Sequence, residues 1–250
     1  MVPTTRGVFR SFIVIALLTL ASISLVKSAM ADTLSGTLTA DNAFFAYIST
    51  SDSTLGTLIA SGNNWPSSVN ISPTALTPGV TNYLQIEVIN YGEWGGLLGQ
   101  FNLSDNSFQF ANGSQTLLTN TADWAGIYNS GYFSDNFSSS PGSSCDPSVG
   151  SYGCTVSAQS WVPPTGGVTG FGLNSVSPWG TVSGISSGTN WIWPTDSNSL
   201  PGGPDYYGAC PLCTVDFSTT ITGVPEPGTL TLLVGGFALL PLIRRRRMMR

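Results

Sequence analysis

The sequence predicts an all-β sandwich, and three observations carry that expectation. Between Asp32 and Glu226 short segments alternate apolar and polar residues, the period of a half-buried strand. Gly, Ser, Thr, Pro and Asn separate these segments at short intervals, as turns between strands require. Aromatic residues make up 11% of the chain and charged residues only 8%, a balance that supports a packed core rather than disorder. The region of about 195 residues is long enough to bury such a core as one sandwich, and no long helix is expected in it.

Taken in order, LSGTLTADNAFFAYI places two strands at about 34–39 and 43–49 around a turn-like Asp41-Asn42. SDSTLG reads as a turn, TLIAS as a short strand, and Trp65-Pro66 opens a loop before the strand VNIS. Pro78-Gly79 punctuates the turn LTPGVTN. NYLQIEVIN then sets Leu84, Ile86 and Val88 against Tyr83, Gln85, Glu87 and Ile89, a strand with one face inward. GEWGG breaks it and LLGQFNLS follows. SFQFANGSQTLLT predicts a hairpin turning at 111–114. From Asp123 to Pro204 the alternation weakens; within this stretch NWIWP reads as a short buried strand, with Trp191 and Trp193 in the core. VDFSTTIT, 215–222, is the last alternating strand.

The charges are segregated. Arg6, Arg10, Lys27, Arg244, Arg245, Arg246, Arg247 and Arg250 are all the basic residues, and the chain has no histidine. The thirteen acids all fall between Asp32 and Glu226, so that stretch carries a formal charge of −13. Nucleic-acid binding, which needs cationic contacts to phosphate, is excluded. Histidine-dependent nucleophilic catalysis and histidine-ligated metals are excluded as well. Carboxylate chemistry, calcium held by oxygen ligands, and binding through aromatic and amide groups remain.

The ends read as targeting segments. Arg6 and Arg10 precede an apolar run from Phe12 to Val26, and Ala29-Met30-Ala31 precedes Asp32. Basic region, apolar region and small-x-small site predict a signal peptide over 1–31, cleaved before Asp32. At the other end the apolar run 228–243 would be about 24 Å long as a helix. That is shorter than a hydrocarbon core of about 30 Å, so a short transmembrane helix is expected. Arg244, Arg245, Arg246 and Arg247 would stop transfer and stay in the cytoplasm.

Four cysteines, Cys145, Cys154, Cys210 and Cys213, are an even set in an exported chain, which favours disulfides. Cys145–Cys154 and Cys210–Cys213 are the preferred pairs of three arrangements. A redox C-x-x-C and a four-cysteine zinc site are the alternatives; no cation is available to lower a thiol pKa, and the spacings match zinc ribbons poorly. Asp41, Asp105 and Asp135, each followed by Asn, are weak calcium candidates, since Asp-Asn also suits turns. Trp65, Trp94 and Trp124 lie beside Gly, Asn or Asp in expected loops and are the candidates for exposed stacking on sugars. Glu87 and Glu93 are the only glutamates before Glu226, and nothing in their spacing marks a glycosidase pair. Asn-x-Ser sequons occur at Asn70, Asn102, Asn112 and Asn136.

Val224-Pro225-Glu226-Pro227, the glycine-containing apolar run and the terminal arginine cluster together resemble the PEP-CTERM sorting signal of Gram-negative bacteria. The resemblance covers 224–250. It implies recognition by exosortase at the inner membrane, cleavage near Pro-Glu-Pro, and delivery to the cell surface or extracellular matrix. LTADNAFFAYI, Trp65 and LTPGVTNYLQIEVINYGEWGGLLGQFNL are similar to galactose-binding-like β-sandwiches of such proteins, which implies a jelly roll over 32–222. In those domains strands similar to NWIWP and VDFSTTIT precede the TADN motif. Here they follow it, and the last strand would close the same sandwich if it paired beside the first, as in a circular permutation. The expected function is a non-catalytic exported surface or matrix protein without a cofactor that binds exopolysaccharide. A structural matrix component without specific ligand, and a carboxylate-dependent glycoside hydrolase, are the alternatives.

Overall fold

The structure, a computed structural model, describes residues 32–90, 94–129, 137–138, 155–156, 161–195 and 213–224. These fall within one compact unit, Ala31–Val224. The signal peptide expected at 1–31, all but Val224 of the sorting signal expected at 224–250, and Cys145, Cys154, Cys210, Asp135 and Glu93 lie outside the described residues; of Cys213 the backbone alone is described. Among the described residues no helix is long and apolar enough to cross a membrane.

The fold is an all-β sandwich of two antiparallel sheets. Its strands are β1 (Thr33–Asp41), β2 (Ala43–Ser49), β3 (Thr57–Gly62), β4 (Val69–Ala75), β5 (Asn82–Asn90), β6 (Gly96–Leu103), β7 (Phe108–Phe110) and β8 (Thr116–Leu118). After these come β9 (Ala125–Asn129), β10 (Phe137–Ser138), β11 (Thr155–Val156), β12 (Val168–Leu173), β13 (Asn190–Pro194) and β14 (Cys213–Gly223). The first sheet has the order β12-β13-β6-β1-β4, with β8 also on β6. The second has the order β3-β2-β5-β14-β7, with β9 also on β14. β10 and β11 pair with each other.

Period-two alternation decides which side chains are inward. On β5, Leu84, Ile86 and Val88 enter the core; on β14, Val215, Phe217 and Ile221 do. They meet Leu34 and Leu38 of β1, Leu97 and Phe101 of β6 and Leu117 of β8 from the other sheet. Phe101 is fully buried, and two glycines make room for its ring. A Cβ on Gly36 would come within 2.9 Å of it and one on Gly99 within 2.7 Å.

An expected turn and an expected hairpin are sheet crossings instead. β1 and β2 flank Asp41-Asn42 yet lie in different sheets, and so do β7 and β8 around 111–114. Alternation reports a buried face in each strand, and either sheet can provide it. The last strand, β14, does not sit beside β1 but fills the second sheet between β5 on one edge and β7 with β9 on the other.

Polar side chains hold the edges. Asp32 is 1% exposed, and its Oδ1 accepts from Ser104 N (2.8 Å), Ser104 Oγ (2.7 Å) and Asp105 N (3.1 Å). The ladder between β13 and β6 is a single pairing, Ile192 with Leu97. Thr119 reinforces it: its Oγ1 donates to Asn190 O at 2.6 Å and accepts from Gly99 N at 3.1 Å. Gln85, fully buried on the outer face of β5, donates its amide to Ser51 O (3.0 Å) and Thr54 O (3.2 Å) and accepts from Gly56 N (3.3 Å). The loop after β2 is thereby folded over the outside of the second sheet.

Candidate functional site

The outer face of the first sheet carries a second, smaller core. Leu98 of β6 and Trp191 of β13 point away from the sandwich interior and are covered by Trp179, Val182 and Ile185 from the segment between β12 and β13. Asn174 organises that segment. Its Oδ1 accepts from Val182 N (2.8 Å), and its Nδ2 donates to Val182 O (3.0 Å) and Ile185 O (2.8 Å). One buried amide thus satisfies three backbone groups that the irregular segment leaves unpaired.

Trp179 is the centre of this cluster. Its ring stacks on Trp191 (centroids 4.5 Å apart, 16° between planes) and on Phe171 (6.0 Å, 22°), while Trp94 meets it edge-on (6.0 Å, 80°). The sheet can carry flat indoles here because Gly96 has no side chain: a Cβ would lie 2.7 Å from Trp191. Trp179 Nε1 donates to Asp41 Oδ2 at 2.8 Å, and Asn42 Nδ2 donates to Asp41 Oδ1 at 2.7 Å. Burial raises the Asp41 pKa to about 7, against the lowering effect of the Trp179 hydrogen bond.

Trp65 and Trp94 are half-buried and pack against this cluster. Thr39 Oγ1 fixes the Trp65 backbone by donating to its carbonyl at 2.9 Å. The remaining area of both indoles is an aromatic surface with a rigid backing, which suits the flat apolar face of a sugar ring. Trp124 does not belong to it. That residue is 4% exposed, inside the main core 5.5 Å from Phe101, and its Nε1 donates to Leu118 O at 3.2 Å. Lying beside Asp123 made it look like a loop residue, but it leads directly into β9, a strand whose weak alternation conceals it. Trp191 and Trp193 are both buried, as expected, in different clusters.

Of the calcium candidates, Asp41 and Asp105 are described, and both carboxyls accept hydrogen bonds from nearby protein groups. Asp41 accepts the two side-chain hydrogen bonds just described. Asp105 Oδ1 accepts from Ser107 N at 2.7 Å, a turn that lowers the carboxyl's pKa through the Ser107 hydrogen bonds. Among the described residues no group of three or more His, Cys, Asp or Glu is placed to hold a metal.

Glu87 is fully buried on the outer face of β5. Its partner across the ladder is Asp216 of β14, also fully buried. Asp216 gives no signal in the sequence: it occupies an outward position of an alternating strand, and its cover comes from residue 162, far away in the chain. An uncharged cleft of about 350 Å³ lies between the edge strands β3 and β4, lined among others by Ser49, Thr57, Thr74, Thr77 and Asn82.

No protein-family model matches this chain, and no curated protein or solved structure matches it either.

Proposed function

We propose that this chain is an exported, non-catalytic surface or matrix protein, sorted through its C-terminal segment and processed by exosortase in a Gram-negative bacterium. The observation that carries the reading is the segregation of charge. The whole β-sandwich is built without one Lys, Arg or His, while every cation lies in 1–31 or 225–250. Signal-peptide removal before Asp32 and cleavage near Val224-Pro225-Glu226-Pro227 would release a body free of cationic side chains. Asp32 lies at the head of β1 and Val224 directly follows β14, so both cuts fall at the limits of the described domain. Frequent crossings between the sheets support the finer reading of a jelly roll related to galactose-binding-like sandwiches. Intact mass and location of the mature protein in its own host, with and without exosortase, test the proposal. A product running from Asp32 to about Glu226 at the surface or in the matrix is expected. A cytosolic product with both ends intact would overturn it.

Sugar binding is a second reading, carried by the half-buried Trp65 and Trp94 on their aromatic backing. Exopolysaccharide is the ligand class, and indole stacking the means of recognition. The burial of Glu87 under its own sheet's cover supports a binding or structural role over glycoside hydrolysis, since a catalytic carboxyl must reach its substrate. Retention on self-produced polysaccharide, lost when Trp65 and Trp94 are both replaced by Ala, tests it. Retention that survives both replacements favours the structural matrix role without a ligand.

A further inference from the structure

Two carboxyls lie side by side on the outer face of the second sheet, and residues 32–226 contain no cation to balance them. Glu87 and Asp216 are directly opposed in register on β5 and β14, and neither is exposed. The hydrogen bonds around Asp216 are lopsided. Its Oδ2 accepts from Val162 N at 2.9 Å and from Asn129 Nδ2 at 3.0 Å. Its Oδ1 is buried and no donor reaches it. Two ionised carboxyls in this place would combine lost hydration, like-charge repulsion and an unpaired charged oxygen. A proton on Oδ1 relieves all three. It neutralises one charge, and it turns the orphaned acceptor into a donor facing a carboxylate across the ladder.

A divalent cation is the other way to balance the pair, and the site suits it poorly. Calcium takes about six to eight oxygens, whereas this site has two carboxyls, and Asp216 Oδ2 already accepts from two N–H donors.

We propose that Asp216 and Glu87 share one proton, carried on Asp216 Oδ1 and donated to Glu87, and that this acid pair fastens residues 161–164 over the sheet most firmly in acid and progressively less firmly as pH rises towards mild alkali. The proton is what makes Asp216 a neutral acceptor for Val162 N. Trp161 Nε1 adds a second attachment of the same strap, donating to Asp52 O at 2.7 Å. Burial raises the Asp216 pKa to about 8, opposed by the Val162 hydrogen bond, reinforced by the charge of Glu87 and opposed again by Asn129. From β2 the facing titratable group is Tyr47, held neutral with a pKa of about 12 by burial and by Glu87 and Asp216. β5 contributes Glu87 and the neutral Gln85, β9 the neutral Asn129, and the loop after β2 the exposed Asp52.

The sign of the pH effect follows. The pair binds its proton more tightly when the strap is closed than an exposed aspartate would, so opening releases a proton at any pH between the two pKa values. The opening equilibrium of 161–164 then rises by up to about tenfold per pH unit from about pH 4 to about pH 8, and levels off above.

Hydrogen exchange of the full-length protein, corrected for intrinsic base catalysis, reads this at the Val162 amide. Infrared difference spectra between wild type and Asp216→Asn read the protonated carboxyl directly. The expected results are a carboxylic-acid C=O band at neutral pH that Asp216→Asn removes, and an excess pH dependence of Val162 exchange that is lost in both Asp216→Asn and Glu87→Gln. Each amide keeps the acceptors and supplies a permanent donor between the two groups, so both variants should hold the strap closed in mild alkali. Absence of that band from the wild type overturns the proposal, even if the variants fail to fold. Excess pH dependence that persists in Asp216→Asn also overturns it. So does calcium that slows Val162 exchange in wild type but not in Asp216→Asn, which would put a metal where we place a proton.

Discussion

Replacing Trp179 by Phe keeps an aromatic ring on Trp191 but removes the donor to Asp41 Oδ2. The cost depends on whether Asp41 is charged. Its pKa is about 7 in the fold against 3.8 for an exposed aspartate. A carboxyl raised in this way contributes most favourably below about pH 4, and that contribution is lost as pH rises through about 7. At about pH 5 Asp41 is protonated, and the substitution forfeits a neutral hydrogen bond worth about 1 kcal/mol. At about pH 8.5 it is ionised, and the lost charge-assisted bond is worth about 1.5–3 kcal/mol. Shrinking the indole to a phenyl adds about 1 kcal/mol at either pH. The total is about 2 kcal/mol in acid and about 2.5 to 4 kcal/mol in alkali. For a domain of this size the melting temperature should fall by roughly 4–8 °C at the lower pH and roughly 5–16 °C at the higher. Thermal melts at both pH values measure this, and loss of the circular-dichroism couplet of the stacked Trp179 and Trp191 indoles confirms that the intended contact changed. In an Asp41→Asn background the penalty should be the same at both pH values. Equal penalties in the wild-type background would refute the argument, because the Trp179 N–H would then not be stabilising a charge.

Three further substitutions probe the packing and the aromatic face. Asn174→Ala leaves three backbone groups of the covering segment without partners and should cost about 2–4 kcal/mol, with proteolytic nicking between β12 and β13 as the local readout. Gly36→Ala places a Cβ 2.7 Å from the Gln100 carbonyl and 3.2 Å from Phe101 Cα; since backbone cannot step aside, a loss of about 1–3 kcal/mol in urea unfolding is expected. Trp65→Ala with Trp94→Ala should abolish polysaccharide retention while costing far less stability than Trp124→Ala, which should lose about 3–5 kcal/mol as a core truncation.

Much of the fold could be read in advance because alternation is a local signal. β5 shows its inward Leu84, Ile86 and Val88 as plainly in the sequence as in the structure, and NWIWP was recognisable from its density of large apolar residues. What stayed hidden depends on remote residues. Alternation says that a strand has a buried face but not which sheet it joins, so the crossing at Asp41-Asn42 reads as a local turn and that at 111–114 as a hairpin. β9 and β12 escaped because glycines interrupt their patterns at Gly126, Gly170 and Gly172. The acid pair was the least legible feature. Glu87 stands out among the few glutamates, but Asp216, which the β5–β14 ladder brings alongside it, gives no local signal.

The position of β14 has a consequence for how the molecule comes into being. The final strand occupies the interior of its sheet, so β5 lacks one neighbour, and β7 and β9 lack their partner, until the ribosome has made nearly all of the domain. A growing polypeptide therefore carries most of its strands while the sandwich is still open, with the slow closure typical of distant pairings ahead of it. Late completion of this kind keeps the chain threadable, which is the condition a protein must be in if it is to pass through a membrane before it folds.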